Sequence, residues 1–272
     1  MEIKAADVAK LRAMTGAGMM DCKKALVEAE GDFDRAQDII REKGKLVAAK
    51  RADRTATQGV VASKIVGQKG YMLCLACETD FVAQNADFVA ATNAILDIAV
   101  EADAADLDAL RAVVKDGKTV AEIVTEKSGQ TGEKVELAYY GKIEAPMCVT
   151  YIHMNSKLGT LIGFNKEIDK EVAKDVAMQA AAMAPVSIDK GDCDPKIIEH
   201  ERMIGREQAR QEGKPEAMLD KIAEGKVNKF LKENTLLNQD LVKNNKISVG
   251  TYIKEADKDA TVIAYKRFSL ND

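Results

Sequence analysis

The chain has no Trp, and Phe and Tyr together make up only 4% of its 272 residues. An exposed aromatic is therefore scarce here, and aromatics are the side chains that most often anchor interfaces. Histidine is nearly as rare: His153 and His200 stand far apart, outside any HExxH pattern, so the material for a zinc site is missing. No apolar stretch approaches the ~18 residues that a membrane helix needs. The opening Met1-Glu2-Ile3-Lys4 also carries no basic-then-apolar leader, which predicts a cytoplasmic protein that meets no membrane. Five cysteines, an odd number, are scattered at 22, 74, 77, 148 and 193 in a chain too long to need staples, so reduced thiols are expected. An excess of positive charge is lacking as well. Lys and Arg number 40 against 44 Asp and Glu, a net charge of -4, which argues against a nucleic-acid binder relying on a basic surface.

What is present is ample apolar material, 46% of the chain, enough for one large domain or two to three small ones. Residues 6–14, 19–28 and 33–48 read as three short helices. Leu11 and Met14, then Met20, Ala25 and Leu26, then Phe33, Ala36, Ile39 and Ile40 fall at helical spacing and predict one small bundle. Thr15-Gly16-Ala17-Gly18 breaks the first pair, and Gly31-Asp32 supplies a turn and a cap before the third. Residues 50–58 are polar and cationic, a linker or an extension of the third helix. From Gly59 the period changes. Residues 60–66, the turn Gly67-Gln68-Lys69-Gly70 and the unbroken apolar run 71–77 predict a hairpin with a buried second strand. After a loop at Glu78-Thr79-Asp80-Phe81, Asn85 caps a helix with Phe88, Ala91, Ile95, Ile98 and Ala99 on one face. The same order returns: strand 147–154, turn Asn155-Ser156-Lys157, strand 158–164, and a helix over 170–183 that ends at Pro185. Polar helices near 106–114 and 119–127 and a strand over 134–143 lie between the repeats and are expected to cover the sheets. Residues 195–211 and 216–232, joined by Glu212-Gly213-Lys214-Pro215, predict an antiparallel helical hairpin, and a strand over 260–268 is expected to rejoin the second sheet.

Few residues offer chemistry. Gly16-Ala17-Gly18 follows a helix rather than a strand and lacks the Gly-Lys-Ser/Thr that holds phosphates, so it reads as a helix-to-helix turn. Cys74 and Cys77 have CxxC spacing, but on a strand an odd offset points them to opposite faces, away from a shared metal or a disulfide. His153 falls in the first strand of the second repeat, flanked by apolar residues. No Ser, His and Asp arrangement stands out as a triad. No catalytic residue, metal site or cofactor is expected.

Two runs carry a family likeness. Thr15-Gly16-Ala17-Gly18-Met19-Met20-Asp21-Cys22-Lys23-Lys24-Ala25-Leu26 lies in the bundle, and Glu78-Thr79-Asp80-Phe81-Val82-Ala83 lies at the hairpin-to-helix junction. With Ala177-Met178-Gln179-Ala180-Ala181 before Pro185, Gly213-Lys214-Pro215, Glu224-Gly225-Lys226 and Lys229-Phe230, the chain resembles the elongation factor Ts family along nearly its whole length. It departs from the family pattern at Gln84, at Ala138-Tyr139 and at Gln239-Asp240-Leu241-Val242, and it ends at Asp272 without the long helical extension of some members.

The resemblance implies an α+β fold: an N-terminal three-helix ubiquitin-associated-like bundle, a core of two related α+β subdomains with antiparallel sheets, and an inserted antiparallel helical hairpin. Its segments would be 1–54 for the bundle, 55–144 for core subdomain N, 145–187 with 233–272 for core subdomain C, and 188–232 for the hairpin. It implies a guanine-nucleotide exchange factor that binds the GTPase elongation factor Tu and promotes GDP release, with no reaction of its own and no direct nucleic-acid partner. Thr79, Asp80, Phe81 and Val82 would disturb the partner's Mg²⁺ site. Met19, Met20, Lys23, Lys24 and His153 are candidates for further contacts, with core packing favoured for Met20 and Leu26. The rival is a helical-bundle interaction or scaffold module without exchange activity, whose Phe81 plugs its own core. The hairpin either projects or pairs with a second copy, so a homodimer through hairpin or core stays open.

Overall fold

The computed structural model describes residues 3–271; Met1, Glu2 and Asp272, at the outer ends of the segments 1–54 and 233–272, lie outside the described residues. Three helices open the chain: α1 (Ala5–Thr15), α2 (Met19–Glu28) and α3 (Phe33–Lys50). Gly16 ends α1 in the left-handed region at φ 67°, and the Asp32 carboxylate caps α3 by accepting from the amides of Asp34 and Arg35. Val8, Leu11, Cys22, Ala25, Leu26 and Ala36 form the bundle's core. Leu26 is thus buried as expected, but Met14 and Met20 are not, being 51% and 64% exposed. On α2 the buried stripe runs Cys22, Ala25, Leu26. Met20, two residues before Cys22, sits about 200° away around the helix and points outward. Past α3 the chain turns rather than staying helical, so residues 51–57 are a connector.

The hairpin of β1 (Gln58–Val66) and β2 (Lys69–Cys77) is in register from Gln58↔Cys77 to Val66↔Lys69. Its turn is Gly67-Gln68, where Gly67 takes φ 59°. β2 pairs on its other side with β5 (Glu136–Glu144), which gives the order β1-β2-β5 and explains the uninterrupted apolar run of the central strand. One face, with Tyr71, Leu73, Leu75 and Cys77, packs under α5 (Ala86–Ala102) through Phe88, Ile95, Ile98 and Ala99. Between α5 and β5 lie α6 (Leu107–Ala112), a two-strand ribbon of β3 (Val114–Lys115) and β4 (Lys118–Thr119), and α7 (Val120–Thr131), with Leu110, Val120 and Val124 closing the same core. The bundle leans on α7: a Cβ added at Gly129 would lie 2.4 Å from the Cα of Gly44, so α3 and α7 cross at a distance that requires glycine at 129.

The order repeats with β6 (Met147–Ile152), β7 (Leu158–Phe164) and α8 (Lys170–Met183), the last capped by Asp169. β10 (Val262–Ser269) pairs with β7 and completes a second antiparallel sheet, β10-β7-β6. Alternation along β7 serves two cores. Ile162 and Phe164 meet Ala173, Val176 and Ala177 of α8, whereas Leu161 meets Val61, Met72 and Cys74 of the first sheet. The two sheets therefore stack face to face with a helix outside each. After the 3-10 turn at Lys190–Asp192, α9 (Pro195–Gln211) and α10 (Glu216–Asn234) form the antiparallel hairpin, stitched by ion pairs from Arg206 and Arg210 to Glu216. The chain returns through β8 (Asp240–Leu241), β9 (Asn244–Ser248) and α11 (Val249–Ala256). The fold is α+β, and among the described residues no helix is long and apolar enough to cross a membrane.

Candidate functional site

Where the sequence predicts a plain loop after β2, the chain makes one turn of helix, α4 (Asp80–Ala83). Its cause is local. Thr79 takes an extended conformation, φ -119° and ψ 155°, and its hydroxyl oxygen accepts from the Val82 amide at 3.4 Å, an N-cap that starts the turn. The Ala83 and Gln84 amides close it on the carbonyls of Thr79 and Asp80 at 3.2 and 2.9 Å. Ala83 is buried and Val82 half-buried against the first core, which directs the two preceding side chains outward. Asp80 is exposed, and Phe81 is 84% exposed, the aromatic of a chain that has few. Phe81 therefore does not plug its own core.

The tip rests on a clasp of carboxylates. One Glu133 oxygen accepts from the amides of Glu78 and Thr79 at 3.1 and 3.0 Å, and the other accepts from the Thr79 hydroxyl at 2.6 Å. Glu78 in turn accepts from the Lys134 amide at 2.6 Å and from the Arg51 guanidinium at 2.8 and 2.9 Å. The Lys134 amide, then Arg51, hold the Glu78 carboxyl below its ordinary range. Beneath the turn, burial pushes the Cys77 thiol up to about 12, and its Sγ donates to the Thr79 carbonyl at 3.2 Å. Burial raises the Cys74 thiol as well, and the two cysteines face different cores, Cys77 under α5 and Cys74 between the sheets. Both thiols are buried, unlike the exposed, electropositive settings in which reactive thiolates form. Glu133 and Arg51 carried no sequence signal, because each meets the tip from far along the chain.

Beside the tip opens a cleft of about 1210 Å³ between bundle and core. The α1–α2 turn with Met19, together with Val82, Asn85, Ala91 and Lys127, lines it. Burial lowers the affinity of the Lys127 amine for its proton, with Asp87 opposing that effect. The Gln130 amide donates to the Thr15 carbonyl at 2.6 Å and ties α7 to the bundle's first turn. Met19, Met20, Lys23 and Lys24 are exposed on α2, and of these Met19 shares the cleft with Val82. His153 lies elsewhere. It is not in the strand but just past β6, exposed, in a turn closed by the Ser156 amide on its carbonyl at 2.8 Å; its Nδ1 meets the Tyr151 hydroxyl at 2.9 Å. Ser156 takes φ 53° in that turn. Among the described residues no group of three or more His, Cys, Asp or Glu could hold a metal ion.

The chain matches the family model described as Elongation factor TS over residues 78–272. It is 46% identical to Elongation factor Ts of Porphyromonas gingivalis over 272 residues, 100% of this chain and 99% of that one. It is 49% identical to Elongation factor Ts of Cytophaga hutchinsonii over 275 residues, 99% of each. With Elongation factor Ts of Christiangramia forsetii it shares 47% over 273 residues, again 99% of each.

Proposed function

This chain belongs to the elongation factor Ts family of translation elongation factors, and we propose from that premise that it is the guanine-nucleotide exchange factor for elongation factor Tu. The observation that carries the reading is Phe81, an apolar side chain 84% exposed on a turn of helix whose base is hydrogen-bonded on both sides. A GTPase holds its nucleotide by the phosphates and by Mg²⁺, which demands near-octahedral oxygen ligands at short distance. A small displacement of the elements that carry those ligands weakens both. Phe81 is the wedge that enters the partner, worth roughly 2 kcal/mol or more as an interface anchor. Asp80 beside it gives orientation, Thr79 starts the turn, and Val82 seats it on the core.

A wedge works only if its body is held on the partner. Met19, Met20, Lys23 and Lys24 on α2 and His153 at the β6–β7 turn are the anchoring contacts we assign, and their exposure suits that use. In this division of labour, segment 1–54 carries the α2 contacts and segment 55–144 the tip, and the two share the cleft lined by Met19 and Val82. Segment 145–187 with 233–272 carries His153, and 188–232 is the helical hairpin, which projects or pairs with a second copy. No bond is made or broken, so the protein is an exchange factor rather than an enzyme. Reciprocity follows: the factor by which this chain weakens GDP binding is the factor by which GDP weakens its own binding, which makes the ternary complex transient. The setting we assign is the cytoplasm, with no direct nucleic-acid contact.

Stopped-flow release of fluorescent GDP from elongation factor Tu, with and without this chain, tests the reading. Acceleration that saturates with the concentration of this chain is expected. A release rate unchanged at saturating concentration would leave only the interaction-module reading.

A further inference from the structure

We infer that Glu133 is a positioning residue for the exchange tip, acting through Thr79 to fix the direction of Phe81; the inference rests on the exchange reading above. β2 is the central strand of its sheet, and its pairing stops at Cys77 with β1 and at Ala76 with β5. The next two amides, those of Glu78 and Thr79, emerge from the sheet with no strand to receive them. A single oxygen of Glu133 takes both. The second oxygen takes the Thr79 hydroxyl proton at 2.6 Å, and this commitment leaves the hydroxyl's lone pairs facing the Val82 amide. The path is short: Glu133 sets the Thr79 rotamer, that rotamer caps α4, and α4 presents Phe81.

The arrangement is also reciprocal. Residues 133 and 134 give a carboxylate and an amide, and residues 78 and 79 return amides and a carboxylate, so the strand end and the start of the β5 segment are locked together. Gly132, in the left-handed region at φ 71°, ends α7 and turns the chain so that Glu133 faces the tip. Arg51 adds the end of α3 to the same clasp. An exposed wedge transmits force only if it does not swing, and this clasp removes the swing.

The test measures fluorescent GDP release from elongation factor Tu against the concentration of this chain, which separates the plateau rate from the half-saturating concentration. Glu133→Ala leaves three donors unmet and is expected to lower the plateau about tenfold or more, with the half-saturating concentration changed less. Glu133→Asp, too short to reach all three donors, is expected to lie between Ala and wild type. Glu133→Gln is expected to recover the rate to within about threefold, because its oxygen serves both amides and its NH₂ donates to the Thr79 hydroxyl. Glu133→Ala combined with Phe81→Ala is expected to be no slower than Phe81→Ala alone, a non-additivity that a merely destabilising change does not produce. If Glu133→Ala fails to fold by circular dichroism, the Asp and Gln variants decide: slow Asp with fast Gln supports the inference, and equal rates overturn it. A slow Phe81→Ala beside a normal Glu133→Ala overturns the positioning role alone. A normal Phe81→Ala overturns the wedge role of Phe81 and takes this inference with it, while release that no form of this chain accelerates overturns the exchange reading.

Discussion

The two halves of the core run through the same order of strand, turn, strand and helix, yet they join the second strand to the helix differently. In the first half residues 78–84 separate the end of β2 from the cap Asn85; in the second only residues 165–168 separate the end of β7 from the cap Asp169. The shorter junction is closed inward. Asn165 donates to the Asp259 carbonyl and accepts from the Thr261 amide, both at 2.8 Å, and Ile168 packs against the second core. The longer one spends its extra residues on α4 and turns its apolar side chain out. The same element order therefore gives one junction that turns its hydrophobe inward and one that displays it. The display is held by the acids Glu133 and Glu78, and the closed junction by the Asn165 side-chain amide together with the Lys166–Asp257 ion pair at 2.8 Å.

The two junctions differ most at their apolar residues. Phe81→Ala is expected to slow stimulated GDP release by about 30-fold, the equivalent of about 2 kcal/mol, with an unchanged melting temperature. Ile168→Ala is expected to do the reverse, costing about 1–2 kcal/mol in denaturant unfolding while release at saturating factor stays normal. If Ile168→Ala slowed release as much, the second junction would be a working surface too.

Other substitutions in the two halves have smaller effects. Asn165→Ala removes two hydrogen bonds and should cost about 1–2 kcal/mol of stability with exchange intact, read from chemical denaturation. Each half also has an acid at its helix. Asp103, just past α5, accepts from Lys69, Lys142 and Tyr71, and these partners, Lys69 first, hold its carboxyl far below its ordinary value. A depressed carboxyl contributes stability that is full above the unfolded value of about 4 and is lost as pH falls toward the folded one. Asp103→Asn should therefore flatten the loss of stability below about pH 4, measured by acid titration of the melting temperature. In the second half Tyr252 donates to Asp175 at 2.9 Å, and burial first, then Asp175, raises its phenol to about 12. A raised phenol stabilises the fold below about pH 10 and loses that contribution as pH climbs toward 12. Tyr252→Phe should remove that part of the alkaline loss. The smallest change expected is at His153, where Ala should raise the half-saturating concentration about two- to fivefold and leave the plateau alone.

Most of this scaffold was legible in the residues themselves. The long helices announced themselves by period and caps, and the apolar run of β2 by its length. Three features escaped for physical reasons. α4 is too short to show a period; it exists because Thr79 caps it and the core takes Val82 and Ala83. Met20 fell at a plausible spacing, but the α2 stripe was set by Cys22, Ala25 and Leu26, which only the packing reveals. β8, β9 and α11 are short pieces held by long-range partners, such as the buried Gln179, whose side-chain oxygen accepts from the Val242 amide at 2.9 Å. The tip was legible as a motif, and its support was not: Glu133 reaches it from the far end of α7, a closeness the sheet creates.

The most direct test is the plateau of GDP release from elongation factor Tu with the Phe81→Ala protein, titrated to saturation. A low plateau that further protein does not restore is the expected result, since the wedge acts after binding. Recovery of the wild-type rate at high concentration would contradict the account, because Phe81 would then contribute affinity alone.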